Sequence, residues 1–236
     1  MSTNQPQDTK QTASQAWIEL NADFNKAVII PAGELEYSPT PMQGVRRMMF
    51  ERVGDEVARR ATSCVTYEAG SSFKAHKHPG GEEYLVLSGT FSDQRGDFST
   101  GWYVRNPLNS SHAPFTHEGC EIFVKLSQVP DEEAEYLELD TNTAEWQQVS
   151  ANESRLMLWQ SEYEHTSLHR VTKGYRHRFQ ALDVLELFVV EGAVRVDGKL
   201  LKDHSWLRLP PESIVLVEAE ESAQFYLKIG RGAVRF

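Results

Sequence analysis

The sequence predicts an all-β chain built as two tandem barrel units, and three observations carry that prediction. Short segments rich in β-branched and aromatic residues alternate with Gly, Pro, Asn and Asp turns: SCVTYEAG, EEYLVLSGTFSD, GWYVRNP, EIFVKLS, LELFVVEGAVRVDG, SWLRLPP, SIVLVEAEE and AQFYLKIG follow one another along the chain. Helical periodicity is scarce; the best candidate, PDEEAEYLELD over 130–140, is acidic and carries little apolar stripe. The chain also repeats itself. Gly70, Gly89, Arg105 and Pro107 have counterparts in Gly174, Gly192, Arg208 and Pro210, offset by 104 residues for the first pair and 103 for the other three. So steady an offset reads as a duplicated fold unit.

The elements then fall in order. Residues 1–16 have neither an apolar block nor a cleavage signature, so they read as a disordered tail rather than a secretory signal. The first lobe is expected over 17–128, an acidic linker over 129–145 and the second lobe over 146–236, with Trp17 and Trp146 near the start of each unit. A 40% hydrophobic share and five Trp supply the cores. The longest apolar runs, such as Leu185 to Val190 with a Glu inside, are too short to span a bilayer, and no membrane partner is expected. A net charge of −10, with only isolated pairs such as Arg46-Arg47 and Arg59-Arg60, argues against nucleic acid. Cys64 and Cys120 are too few for a disulfide framework and are expected to be small buried residues; a cytoplasmic location is the default expectation.

The strongest chemistry lies between Gly70 and Gly89. His76 and His78 are two apart, a spacing that puts both on one face of a strand. Pro79-Gly80-Gly81 then makes a tight turn, so Glu82 opens the next strand aimed at the same point. Two imidazoles and a carboxylate converging from a hairpin make most of a divalent-metal site. A fourth ligand is expected from a non-adjacent strand, and the segment Gly101 to His112 supplies His112 after a Pro-Asn-Ser turn. Strand parity turns Glu83 to the opposite face, and it groups Tyr84, Val86 and Ser88 with Glu82 as candidate pocket residues. His117 has the wrong parity relative to His112 and is expected at the rim or surface.

These segments resemble the two cupin motifs. The first fits G-x5-H-x-H-x3-E-x6-G at every fixed position. The second fits G-x5-P-x-G-x2-H-x3-N with Asn109 in place of Gly and Thr116 in place of Asn. Asn tolerates the left-handed turn that Gly would adopt. The wording from residue 45 to 128 is similar to the ChrR-type cupin domain and to acetylacetone-cleaving and hydroxyacetophenone dioxygenases. The resemblance implies a bicupin, two tandem double-stranded β-helix (jelly-roll) barrels, and maps the family's three-His-one-Glu ligand set onto His76, His78, Glu82 and His112.

Carried into the second lobe, the offset sets Leu185 at the place of Glu82 and Val215 at that of His112. His76 and His78 fall on Phe179 or Gln180 and on Ala181 or Leu182, depending on where the one-residue gap sits. The second lobe is therefore expected to keep the shape without the ion. Its own His165, His169, His177 and His204 are not expected to make a second site: His165 and His169 would stand roughly 13 Å apart on a strand.

One divalent ion in the first lobe is thus expected. The ChrR-like resemblance implies a regulatory, sensor-like metal protein, for which zinc is the natural ion. The alternative is a non-haem dioxygenase acting on a β-diketone or hydroxyketone, for which iron, manganese or nickel would leave positions open to a chelating small molecule. Arg105 is a further pocket candidate, although Arg208 at the same place in the metal-free lobe suggests a structural role. The sixteen residues ahead of the first lobe carry no Cys/His pattern, so direct sigma-factor binding is not expected. A homodimer is expected, because symmetric dimers are the commonest oligomers and sheet edges invite pairing.

Overall fold

The computed structural model describes residues 17–55 and 57–230; the tail expected over 1–16 lies outside them. The described residues hold 22 strands and no helix. In chain order the first twelve are β1 (Ile18–Leu20), β2 (Val28–Ile30), β3 (Ser38–Pro39), β4 (Val45–Gly54), β5 (Ala58–Tyr67), β6 (His76–His78), β7 (Glu82–Asp93), β8 (Gly96–Ser99), β9 (Trp102–Asn106), β10 (Ser110–His112), β11 (Cys120–Leu126) and β12 (Leu137–Asp140). The rest are β13 (Gln147–Ser150), β14 (Glu153–Gln160), β15 (Glu164–Val171), β16 (Arg176–Gln180), β17 (Val184–Glu191), β18 (Ala193–Val196), β19 (Lys199–Lys202), β20 (Trp206–Leu209), β21 (Ile214–Glu218) and β22 (Ala223–Gly230).

The first lobe is an antiparallel path β1-β4-β5-β11-β7-β9-β12, with β3 on β4, β8 on β7 and a separate β6-β10 ribbon. The second combines a path β13-β14-β15-β22-β17-β20-β2 with a four-stranded sheet β16-β21-β18-β19. Two strands cross the expected boundaries. β2 comes from the first-lobe sequence but extends the second lobe's sheet, with Ile29 opposite Leu207. The stretch 129–145, expected as a linker, contains β12, which extends the first lobe's sheet with Leu139 opposite Tyr103. Leu137 and Leu139 alternate with acidic residues at the period of a strand, and both pack against the core between the lobes.

Long central strands bury both faces. On β7, Tyr84 and Val86 point into the first barrel, while Leu85 joins a middle cluster shared by the two lobes. On β17, Leu185 and Leu187 fill the second barrel, while Phe188 joins the same middle cluster. Phe123 and Phe188 stack there with ring centroids 4.2 Å apart.

Charged residues are buried alongside these rings, and they are arranged reciprocally. Glu83 of the first lobe accepts from Lys228 of the second at 2.7 Å, and Lys125 of the first lobe pairs with Glu186 of the second. Tyr103 donates to Glu83 at 2.8 Å, and Trp206, one repeat later, donates to Glu186 at 2.7 Å. Arg105 pairs with Glu83 and Glu164, both at 2.8 Å, and with Glu133; Arg208 pairs with Glu51. Charges taken out of water this completely persist only when each is met by partners. Glu83 meets the requirement fully, with Tyr226 as a fourth donor at 3.0 Å. Arg105, a pocket candidate by sequence, therefore belongs to this lobe junction; its cation lies over the Trp159 ring, 4.7 Å from the centroid.

Candidate metal centre

The β6-β10 ribbon builds one wall of the site. Its antiparallel register sets His112 opposite His76 and Ser110 opposite His78. The intervening turn needs its glycines. Gly81 has φ of 75°, and a Cβ there would lie 2.5 Å from Val129, while a Cβ on Gly80 would lie 2.6 Å from the Ser127 backbone. This close approach of Gly80 and Gly81 to residues 127–129 directs the chain into β7, with Glu82 at its first position. The second motif closes in the same way: Asn109 takes φ of 60° where glycine is usual, and its N–H donates to the His78 carbonyl at 2.8 Å.

The three sequence-selected histidines cluster, and Glu82 reaches two of them. Glu82 Oε2 lies 3.6 Å from His78 Nε2 and 3.7 Å from His112 Nε2. The three imidazole rings are mutually edge-on, with centroids 4.8 to 5.0 Å apart, and one nitrogen from each falls within 4.8 Å of the others. Donors about 2.1 Å from a common ion stand roughly 3 to 4 Å apart, a spacing that the two Glu82 contacts already match. His78 Nε2 is buried and has no hydrogen-bond partner, which fits an atom whose lone pair awaits a cation.

Supporting contacts fix the tautomers. His112 Nδ1 lies 3.1 Å from Asp93 Oδ2, and His76 Nδ1 lies 3.1 Å from the Lys74 carbonyl. With Nδ1–H donating, each ring presents Nε2 to the centre. Asn106 donates to Glu82 Oε2 at 3.0 Å, and Arg95 braces the shell by donating to Asp93 Oδ2 at 2.9 Å and to Asn106 Oδ1 at 2.8 Å. Burial pushes the His78 imidazole down from its ordinary value, against the pull of Glu82. Burial also acts on Glu82, but His78, His112 and Asn106 outweigh it and hold the carboxyl below its usual value. Burial acts on His112 as well, but there Glu82 and Asp93 outweigh it and raise the imidazole.

Sequence reading missed Asp93, Arg95 and Asn106. Asp93-Gln94-Arg95-Gly96 looks like an ordinary hairpin turn, and only the fold brings it beneath His112. The pocket expectations for Tyr84 and Ser88 are corrected. Tyr84 is buried among aromatic rings, 5.1 Å from Phe91 by centroids, and Ser88 is exposed because a bulge at Glu121/Ile122 breaks the parity of β7. His117 is exposed, as parity predicted. A cavity of about 290 Å³ instead adjoins the donors, lined by Met42, Arg47, Val65 and Tyr67 together with His76, His78 and Glu82.

In the second lobe the register resolves the gap left open by sequence. Phe179 pairs with Val215 as His76 pairs with His112. Phe179, Ala181, Leu185 and Val215 all belong to the apolar core that fills this barrel. His169 is tied at both nitrogens, to Glu153 at 2.9 Å and to Ser167 at 2.9 Å.

Comparison with known proteins follows this geometry. Residues 25–130 match the family model of the ChrR Cupin-like domain. A Nostoc punctiforme protein described as a "putative dioxygenase" aligns with a TM-score of 0.67 at 12% identity, over 94% of this chain and 85% of its own. The Escherichia coli pirin YhhW, solved with nickel(II), aligns with a TM-score of 0.67 at 14% identity, over 87% and 99%. Bacillus subtilis oxalate decarboxylase, studied for its Mn(II) centres, gives 0.62 at 12% identity, over 92% and 80%. At such identities these likenesses establish the fold alone: the chain has the bicupin fold. A search of curated proteins returned no match. Among the described residues no helix is long and apolar enough to cross a membrane.

Proposed function

We propose that the N-terminal lobe holds one divalent cation through His76, His78, Glu82 and His112, and that a small oxygen-donor molecule reaches it through the adjoining cavity in a sensor-like role. The observation that carries this reading is the convergence of the four donors around the orphaned His78 nitrogen, beside a cavity of about 290 Å³. A bound ion would supply Lewis acidity at neutral pH. The chain's own residues do the rest. Asp93 and the Lys74 carbonyl aim two imidazoles, Asn106 holds the carboxylate, and Arg95 locks the first and last of these supports together. Met42, Val65 and Tyr67 give the cavity a largely apolar wall, and Arg47 adds a cation suited to an oxygen-rich ligand. The match to the ChrR Cupin-like domain supports the regulatory side of this reading.

Elemental analysis of protein purified without an affinity tag tests it: His76→Ala should lower the metal content by one ion per chain with the lobes still folded, and undiminished content would refute the ligand set. A second reading, a dioxygenase acting on a β-diketone or hydroxyketone, is favoured by the cavity, since a closed structural site needs none. Oxygen uptake by the Fe²⁺-loaded protein on addition of a diketone panel decides it; absence of turnover across the panel removes the enzyme.

A further inference from the structure

A second set of metal-ligating atoms lies away from the first, where the lobes meet. Cys64 on β5 and Glu121 on β11 share one face of the first lobe's sheet, since Cys64 pairs with Phe123 and Glu121 with Thr66 in the β5-β11 register. His204 reaches them from the β19–β20 turn of the second lobe, and Tyr37 reaches them from the segment before β3. His204 Nε2 lies 3.0 Å from Glu121 Oε1, which also accepts a hydrogen bond from the Tyr37 hydroxyl. Sulfur, carboxylate oxygen and imidazole nitrogen all fall within 4.8 Å of one another.

The supports resemble those of a ligand set. Asp203 Oδ2 lies 3.4 Å from His204 Nδ1, so the imidazole is held by a carboxylate on one side and presents Nε2 on the other. His204 adopts φ of 66° in this tight turn, a left-handed conformation that histidine tolerates better than most side chains. Cys64 is fully buried, whereas the His204 side chain is 31% exposed, giving an ion a path from solvent. Burial, and after it the charge of Glu121, push the Cys64 thiol up, so an ion taking this sulfur must displace its proton to solvent.

We propose that Cys64, Glu121 and His204, completed by the Tyr37 oxygen, form a second divalent-metal site that clasps the two lobes together. Its mixed sulfur, nitrogen and oxygen donors suit a zinc-type ion. Occupancy would link a cation to the packing of the second lobe on the first, independently of the barrel interior.

Cobalt(II) separates the two sites, because only this one offers a thiolate. Chelator-treated full-length protein titrated with Co²⁺ should develop a sulfur-to-cobalt charge-transfer band in the near ultraviolet. The band should persist in His76→Ala, vanish in Cys64→Ser, and require at least tenfold more Co²⁺ in His204→Gln, whose change lies in a surface turn and spares the core. Thermal unfolding of His76→Ala should shift upward with Zn²⁺, and this shift should disappear in the His76→Ala/His204→Gln double variant. Absence of the band in folded wild type and in His76→Ala would overturn the proposal, leaving a hydrogen-bonded tie only. Survival of the band in Cys64→Ser would overturn it equally, by assigning the sulfur to Cys120.

Discussion

The two lobes share strand order, turn glycines and a buried arginine, yet one interior carries a cluster of polar donors beside a cavity while the other is apolar and filled. His76 opposite His112 in the first lobe becomes Phe179 opposite Val215 in the second, and Glu82 becomes Leu185. The frame around these positions is nearly unchanged. Barrel shape is set by turns and by the outer faces of the strands, so the inner positions are free to carry either donors or hydrocarbon. What stays common to both lobes lies between them: Lys125 with Glu186 and Lys228 with Glu83 are the same pair seen from opposite sides.

Breaking that shared feature should have the largest effect. Glu83→Ala removes the carboxylate that Lys228 and Arg105 share, leaving Glu164 to serve both, and should cost about 3–5 kcal/mol of stability, measured by denaturant unfolding. Glu186→Ala should cost a similar amount; a difference of several kcal/mol between the two would show that the junction is not symmetric in energy. Next comes the filled barrel. Leu185→Ala should cost about 2–5 kcal/mol while leaving the metal content unchanged, whereas substitution at Glu82 should do the reverse.

Acid offers a third probe of the junction. Burial opposes ionisation of Glu51, but Arg60, Lys125 and Arg208 outweigh it and bring the carboxyl from its ordinary 4.5 down to about 2. A depressed folded value stabilises the protein above the unfolded value, and that stability drains away as pH falls from 4.5 towards 2. Metal-free protein should therefore lose a contribution on the order of a few kcal/mol in that window, and Glu51→Gln should show a flatter acid limb in a pH series of unfolding curves. Asp93→Asn should weaken metal affinity of the first lobe by about 10–100-fold without unfolding it, read by competition with a chromogenic chelator. Smallest of all, Asn109→Ala should cost about 1 kcal/mol, because alanine resists the left-handed conformation held there. Asn109→Gly should cost less.

Much of this was legible in the residues. The H-x-H spacing, the turn after it and the parity of Glu82 are local facts, and the strand period converts them directly into a common direction. The same parity turned Glu83 away from the donors, where the lobe junction receives it. Less legible was anything that depends on which strands become neighbours. Asp93 lies beneath His112 only because β7 runs past the ribbon, and Val28–Ile30 join the second lobe although they lie between β1 and β3, both strands of the first lobe's sheet. The second-lobe gap could not be placed until Phe179 was seen opposite Val215. Cys64, expected as a small buried residue, is buried; its approach to His204 across 140 residues had no local signal.

The crossed lysine–glutamate pairs have the symmetry of a contact in which one patch meets its own copy. Were the two halves separate and identical molecules, every substitution would be installed on both sides of the axis at once, and a donor lost from one barrel would be lost from its mate. Joined in a single polypeptide, the halves remain matched only where they touch. Covalent continuity thus uncouples the fates of the two interiors, so that one can surrender its chemistry for packing while the other retains it.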